Sequence, residues 1–300
     1  MQTEKSNVYD RITTRIIADL EQGVRPWLKP WSNGHLEGQI NRPRRACGTP
    51  YSGINTLVLW GEAMDKGFCA DTWMTYKQAQ ALGANVRKGE RGSQVVFASK
   101  ITRTETDKTG DEVVKQIPFL KSYAVFNVEQ VDGLPARFYA APEPKPTDFE
   151  RHQRADEFFA ATGAHIGHGG TRAFYAKDRD HVQMPPIEAF HTVEGYYATL
   201  AHEMTHWTRH PSRLAREFGR KRWGDAGYAA EELVAELGAA FLCADLDLTP
   251  TLREDHASYI ASWLTVLKND NRAIFTAASY AQRAADYLHS LQARPIAEAA

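Results

Sequence analysis

Apolar residues along this chain keep two rhythms. In the second half they recur at every third or fourth position: from Val193 to Trp207 they fall at 193, 196, 197, 200, 201, 204 and 207, one continuous stripe along a helix. Similar spacing predicts helices over about 149–162, 192–209, 228–245, 252–268 and 271–292, with 164–190 irregular or in short strands, and 171–183 the place to look for them. The first half is mixed. Ser6 can cap a helix with the apolar face Val8, Ile12, Ile16 and Leu20, ended by Gly23. Residues 55–66, stopped by Gly67, and Thr75 to Leu82, stopped by Gly83, read as two more helices. The period then changes, and residues 94–105, 112–117 and 121–128 read as three strands of a meander with a turn at 107–110.

Between the halves lies Ala-Ala-Pro-Glu-Pro-Lys-Pro-Thr-Asp at 140–148. Three prolines at alternate positions fit neither a helix interior nor a central strand, so this is an extended linker. The expected fold class is α+β: a mixed α+β N-terminal domain over 1–140, a linker over 141–148 and a mainly helical domain over 149–300. Three hundred residues suit two cores better than one.

Composition narrows the classes. A hydrophobic fraction of 43% and a charged fraction of 24% are those of an ordinary globular chain. No stretch approaches the ~20 apolar residues of a membrane span, and the N-terminus lacks a secretory pattern, so no membrane partner and a cytoplasmic location are expected. Cys47, Cys69 and Cys243 form neither a disulfide framework nor a C-x-x-C pair. The net charge of −1 conceals an asymmetry: 19 Lys and Arg against 15 Asp and Glu over 1–140, and 17 against 22 over 141–300. Such a difference suits two domains with different partners, although neighbouring domains often differ this much.

The sharpest chemical signal is His202-Glu203-Met204-Thr205-His206. On the helix the two histidines stand about 40° apart in projection and one turn apart in height, away from the centre of the apolar stripe. Two imidazoles so placed suit a tetrahedral metal at ~2.0–2.1 Å, zinc by default, with manganese or cobalt also fitting. Glu203 lies offset between them, placed to hold a water as general base rather than to bind the ion. A third ligand is expected from Glu231-Glu232-Leu-Val-Ala-Glu236. Glu232 and Glu236 share a helical face, an arrangement that wants a cation opposite, so Glu232 is assigned as ligand and Glu236 as the acceptor that orients a ligand histidine. Glu231 and Glu236 stay open as alternative ligands, and a solvated acidic face paired with Arg213, Arg216 or Arg220 is the competing account. The small residues Ala235, Gly238, Ala239 and Ala240 would let this helix approach the histidine helix closely. A metal with one open position lowers the pKa of a bound water towards ~7 and polarises a carbonyl, while Glu203 takes the proton. Tyr196, Tyr197, Tyr228 and His191 are candidates to stabilise the tetrahedral intermediate, the first two also reading as core residues.

A softer signal runs through the N-terminal half. Trp27, Lys29 and Trp31 interleave aromatics with a base, Arg42, Arg44 and Arg45 lead to Tyr51, and Tyr76 and Lys77 precede the basic turn of Arg87, Lys88 and Arg91. Aromatic faces beside cations are what a sequence-tolerant single-strand binder uses. A Trp-rich core with a few solvated arginines fits the same residues.

Several runs resemble the ArdC-type antirestriction family: Tyr9 to Trp31, Gly48-Thr-Pro-Tyr-Ser-Gly-Ile-Asn-Thr-Leu, Trp73-Met-Thr-Tyr-Lys-Gln-Ala, Val86-Arg-Lys-Gly-Glu-Arg-Gly, Tyr197 to Thr208, Arg213-Leu and Glu231 to Leu242. The resemblance covers both halves in order. It implies an N-terminal single-stranded-DNA-binding domain, a C-terminal zincin-like metallopeptidase domain and carriage on conjugative plasmids or other mobile elements, where the protein protects entering DNA from host restriction. Two functions then compete. One is a zinc-dependent metallopeptidase tethered to single-stranded DNA, with a host restriction-system protein as a substrate to consider; the other is a non-catalytic escort whose metal site is structural or vestigial. An intact Glu203 favours the first. A metal-dependent nuclease is disfavoured, because such sites gather several carboxylates.

Overall fold

A computed structural model of the chain describes residues 7–28, 41–106, 112–139, 147–219, 225–249 and 256–292. Its helices are α1 (Val8–Glu21), α2 (Ile54–Lys66), α3 (Tyr76–Ala81), α4 (Asp148–Ala161), α5 (Val193–Trp207), α6 (Ala226–Asp245), α7 (His256–Asn269) and α8 (Ala273–Ser290). Its strands are β1 (Arg44–Arg45), β2 (Thr72–Thr75), β3 (Asn85–Val86), β4 (Ser93–Thr106), β5 (Glu112–Asn127), β6 (Val131–Asp132), β7 (His165–His168), β8 (Phe174–Ala176) and β9 (His181–Met184). The class is α+β.

Local chemistry sets the element ends. Asn7, not Ser6, caps α1, its side-chain oxygen accepting from Tyr9 N at 2.7 Å; Ser6 lies outside the described residues. Thr147 and Glu150 satisfy each other's backbone N–H groups at the start of α4, so the polar end of the proline-rich run is a helix start. Residues 140–146 of that run lie outside the described residues.

Two compact units form. Unit 1 is drawn from Met1–Arg42, Ser52–Met64 and Ala141–Ala300, unit 2 from Pro43–Tyr51 and Asp65–Ala140. This division departs from the expected break at residue 140, because α1 and the greater part of α2 pack with the C-terminal helices. The reasons are long-range and specific. Trp27 meets Trp263 edge-on at 6.5 Å between ring centroids, Trp60 meets Phe241 at 5.9 Å, and the Trp60 indole N–H donates to the carbonyl of Asn41 at 2.8 Å. Both charge excesses follow the units: unit 2 carries 13 Lys and Arg against 9 Asp and Glu, leaving unit 1 the acidic balance.

In unit 1, α6 is the central element, packed by α5, α7 and α8 and buried almost throughout. Facing it, α8 presents Ala277, Ala278, Ala281, Ala284 and Ala285, all buried, a small-residue face that lets the two backbones approach. Beside the helices lies a three-stranded sheet in the order β7-β9-β8, β7 parallel and β8 antiparallel to β9. β8 and β9 are the short strands expected around 171–183, and β7 precedes them within 164–190.

Unit 2 holds a four-stranded sheet, β1-β2-β5-β4, and the pair β3-β6 over a core of Met74, Ala79, Ala84, Val128, Val131 and Leu134. The expected three-strand meander is a two-strand ribbon: 112–117 and, apart from Val128, 121–128 belong to the single strand β5, which pairs with β4 from Ser93↔Val125 to Thr106↔Glu112. Pro118 does not end it. β2 reaches only Val125, Phe126 and Asn127, so the second edge of β5 at Pro118 has no strand partner among the described residues, the setting in which a sheet tolerates proline.

Candidate metal centre

Two helices build the centre. Thr192 caps α5, accepting from Gly195 N at 3.0 Å, and residues 196–207 are all buried. The histidines are therefore not on a solvent face: α6 covers the side that the apolar stripe leaves. The close approach expected of the small residues occurs at Gly238, where an added Cβ would stand 2.5 Å from Thr205 Cγ2.

That approach brings Glu232 against both imidazoles. Glu232 Oε2 lies 3.4 Å from His202 Nε2 and Oε1 lies 3.5 Å from His206 Nε2. Three donors held by one zinc at ~2.0–2.1 Å in a tetrahedron stand about 3.3–3.4 Å apart, and the observed separations are of that size. Ligand atoms of His202, His206 and Glu232 all lie within 4.8 Å of one another. The residues fit a divalent cation.

Both far nitrogens face carboxylates, and that of His206 is within hydrogen-bond distance. His206 Nδ1 is 3.0 Å from Glu231 Oε1, and Glu231 receives Arg216 through Nε and Nη2, both at 2.8 Å. Arg216 is fully buried and also donates to Thr208 Oγ1 and the Thr205 carbonyl, tying the end of α5 to α6. His202 Nδ1 faces Glu236 Oε2 at 3.9 Å. With Nδ1 as the donor to Glu231, the lone pair of His206 Nε2 faces Glu232. Glu231, an alternative ligand by its sequence position, instead contacts the far side of His206 and Arg216. Arg213 instead binds Asp180 and stacks over Trp207 at 3.8 Å, while Arg220 lies outside the described residues.

The electrostatics favour positive charge between the helices. Burial opposes a charged His206, but Glu232 and Glu231 outweigh it and push the imidazole up to about 10. Burial opposes ionisation of Glu231 as well, and Arg216 with His206 brings it down to about 2. Glu232, against the same penalty, is held well below the usual carboxylate range by His206 and His202. A proton or a divalent cation can supply that positive charge.

Glu203 lines the same cleft as His202, His206 and Glu232, a cavity of about 890 Å³. Tyr228, Tyr259 and His191 also line it. The Tyr228 and Tyr259 hydroxyls are 3.0 Å apart; burial, then Tyr259 and Glu232, hold the Tyr228 phenol above its ordinary value. Tyr196 and Tyr197 are core residues, the first 2.8 Å from His168 Nε2 and the second donating to Asp156.

The residues expected to touch nucleic acid divide sharply. Trp27 is completely buried and Arg42 nearly so, which corrects their assignment to a surface. Arg42 donates to both oxygens of Asp245 at 2.9 Å and lies over Phe241 at 4.2 Å, an engagement no local pattern announces. Tyr51 is likewise buried, with the Arg45 guanidinium above its ring at 5.4 Å, so it offers no open stacking face. Lys29 and Trp31 lie outside the described residues. Arg44, Arg45, Tyr76, Lys77, Arg87, Lys88 and Arg91 are exposed on unit 2. Sequence reasoning passed over one exposed face: the β4–β5 register sets Val95 opposite Tyr123, Phe97 opposite Lys121 and Ser99 opposite Phe119. Phe97 and Tyr123 are about half exposed with rings 6.4 Å apart, and Lys121 Nζ stands 5.3 Å from the Phe119 ring. Alternation of aromatic and basic residues at Phe119, Lys121 and Tyr123 of β5 was the available signal.

A helix bearing H-E-x-x-H, faced by a glutamate helix and flanked by a short sheet, defines a zincin-like metallopeptidase domain, and the family model so described matches residues 153–280. A second model, the N-terminal domain of anti-restriction factor ArdC, matches residues 6–126. The crystal structure of the antirestriction ArdC protein from the R388 plasmid, metal-free, is 46% identical with a TM-score of 0.80, covering 95% of this chain and 97% of that one. Its Mn(II)-bound form matches at 44% identity and a TM-score of 0.78, covering 95% and 98%. The chain belongs to the ArdC family of antirestriction proteins. It is also 44% identical to the protein y4eC of Sinorhizobium fredii, over 96% of this chain and 93% of that one. It is 36% identical to a DNA primase TraC of Escherichia coli, over 99% of this chain but only 28% of the primase. No helix among the described residues is long and apolar enough to cross a membrane.

Proposed function

We propose that this chain protects DNA entering a cell on a conjugative plasmid or other mobile element, with single-stranded DNA bound by unit 2 and a metal-dependent peptidase site in unit 1. The observation that carries the peptidase reading is the buried His202–His206–Glu232 group opening, together with Glu203, onto a cleft large enough for a peptide segment. His202, His206 and Glu232 would hold the cation, zinc by its donor set, with manganese as an alternative supported by the R388 relative's Mn(II)-bound form. When bound, that ion supplies Lewis acidity towards a carbonyl oxygen and an attacking water. Glu203, one residue beyond His202 and facing the cleft, accepts the water's proton and returns it to the leaving amine. Glu231 and Glu236 keep the two imidazoles turned with Nε2 towards Glu232. The Tyr228 hydroxyl, on the cleft wall near Glu232, is the donor for the developing oxyanion.

The basic balance of unit 2 and its exposed aromatics support the nucleic-acid reading. Arg44, Arg45, Lys77, Arg87, Lys88 and Arg91 would track phosphates, while Tyr76 and the ribbon face of Phe97 and Tyr123 would stack bases. The site of action is the cytoplasm, and a host restriction-system protein is the partner that a DNA-tethered peptidase would cut.

The deciding experiment is Glu203→Ala in a conjugation assay into a restricting host. The peptidase reading expects retained metal, measured by elemental analysis, and lost protection. Full protection by this variant would establish instead the escort reading, in which the metal site is structural.

A further inference from the structure

Each histidine of the centre is backed by a glutamate, and each glutamate by an arginine. The first relay, His206–Glu231–Arg216, lies entirely on the zincin-like region. The second does not. Behind His202 stands Glu236, one helical turn after Glu232 on α6, with Oε2 3.9 Å from His202 Nδ1. Its other oxygen, Oε1, faces Arg25 Nη1 at 3.8 Å. Side-chain exposure is 3% for Glu236, 6% for His202 and 11% for Arg25, so the charges meet away from bulk water. Arg25 lies two residues before the buried Trp27 and inside the stretch that matches the ArdC N-terminal model, far outside the 153–280 match.

A buried carboxylate is costly unless a cation faces it. Once paired, it holds a ligand imidazole in one orientation, and loss of such a partner commonly costs 10–100-fold in metal affinity. We propose that Arg25 is a positioning residue of the metal centre: it holds the Glu236 carboxylate in place, and Glu236 in turn fixes the ring of His202 with Nε2 towards the cation. This rests on the metal-centre reading above. It means that an N-terminal residue helps to set how tightly the C-terminal site binds its metal.

The test is isothermal titration of the full-length chain with Zn²⁺ and Mn²⁺. Arg25→Gln should weaken binding by about tenfold, with Arg25→Lys restoring most of the loss. Glu236→Gln should weaken it similarly, and the double variant Arg25→Gln/Glu236→Gln should be no weaker than Glu236→Gln alone, since the two act in series. Arg42→Gln is the control for a purely structural role. It removes another buried arginine pairing on α6, with Asp245, that leads to no ligand, and should lower the melting temperature while leaving metal affinity unchanged. Wild-type affinity in Arg25→Gln, or an equal loss in Arg42→Gln, overturns the proposal. Should Arg25→Gln fail to fold, wild-type affinity in Glu236→Gln overturns it equally. A wild-type chain that binds neither ion removes the metal centre itself, and the proposal with it.

Discussion

Unit 1 and unit 2 place their charges in opposite surroundings. Around the metal centre, Arg216 has no exposed side-chain surface, and Glu231 and Glu236 have 4% and 3%; each finds its partner inside the protein. On unit 2, Arg44 and Arg87 keep 53% and 45% of their side chains in solvent, and their ion pairs with Asp71 and Glu90 are surface contacts of small energetic value. Buried charges are bound to one geometry because the desolvation penalty punishes every alternative. Exposed ones keep their reach for an external phosphate. The acidic unit thus uses charge to hold positions, and the basic unit leaves its charge in solvent.

The largest effect that would break this contrast belongs to the centre. His202→Ala should abolish metal binding, read as the metal content per chain by elemental analysis; an unchanged content would refute the site. Next, Arg216→Ala should lower unfolding stability by about 3–5 kcal/mol in chemical denaturation, because Glu231 is left buried without its counter-charge. A cost near zero would show that Glu231 is not fixed as described. Moving to unit 2, Phe97→Ala combined with Tyr123→Ala should weaken binding of an oligothymidylate by about tenfold in fluorescence anisotropy while the melting temperature holds. If the melting temperature drops and affinity does not, the ribbon face is packing surface. Smallest of all, Lys88→Ala should reduce the slope of log affinity against log salt by about 0.7 and leave metal affinity unchanged.

The same contrast explains what was legible in the sequence. The α5 stripe, His202, Glu203 and His206 lie within fifteen residues, and Glu232 announces itself by standing four before Glu236 on a mostly apolar helix. Local periodicity carries such features. It failed where a residue's environment is set from afar. Arg42 reads as one of a basic cluster, yet its partner Asp245 lies 203 positions away. Trp27 reads as a stacking face, yet Trp263 covers it. Three glutamates in six residues on a buried helix did carry a warning: each needs a counter-charge, and the histidines could answer for only part of it. Arg216 and Arg25 supply the rest. Pro118 misled in the other direction, since a proline looks like a strand end only when both edges of the strand are assumed to be paired.

The discontinuity of unit 1 also sets a schedule. Ribosomes add ~5–20 residues per second, so the 203 positions between Arg42 and Asp245 take roughly 10–40 s to make. During that interval Arg25, Trp27 and Arg42 have emerged while α6 has not. The residues of unit 2 fall wholly within the gap and are all present before the first glutamate of the centre is synthesised. In each newly made molecule the residues of the basic unit are therefore complete before those of the metal centre, and a nascent chain can fold its sheet before it carries a place for the ion.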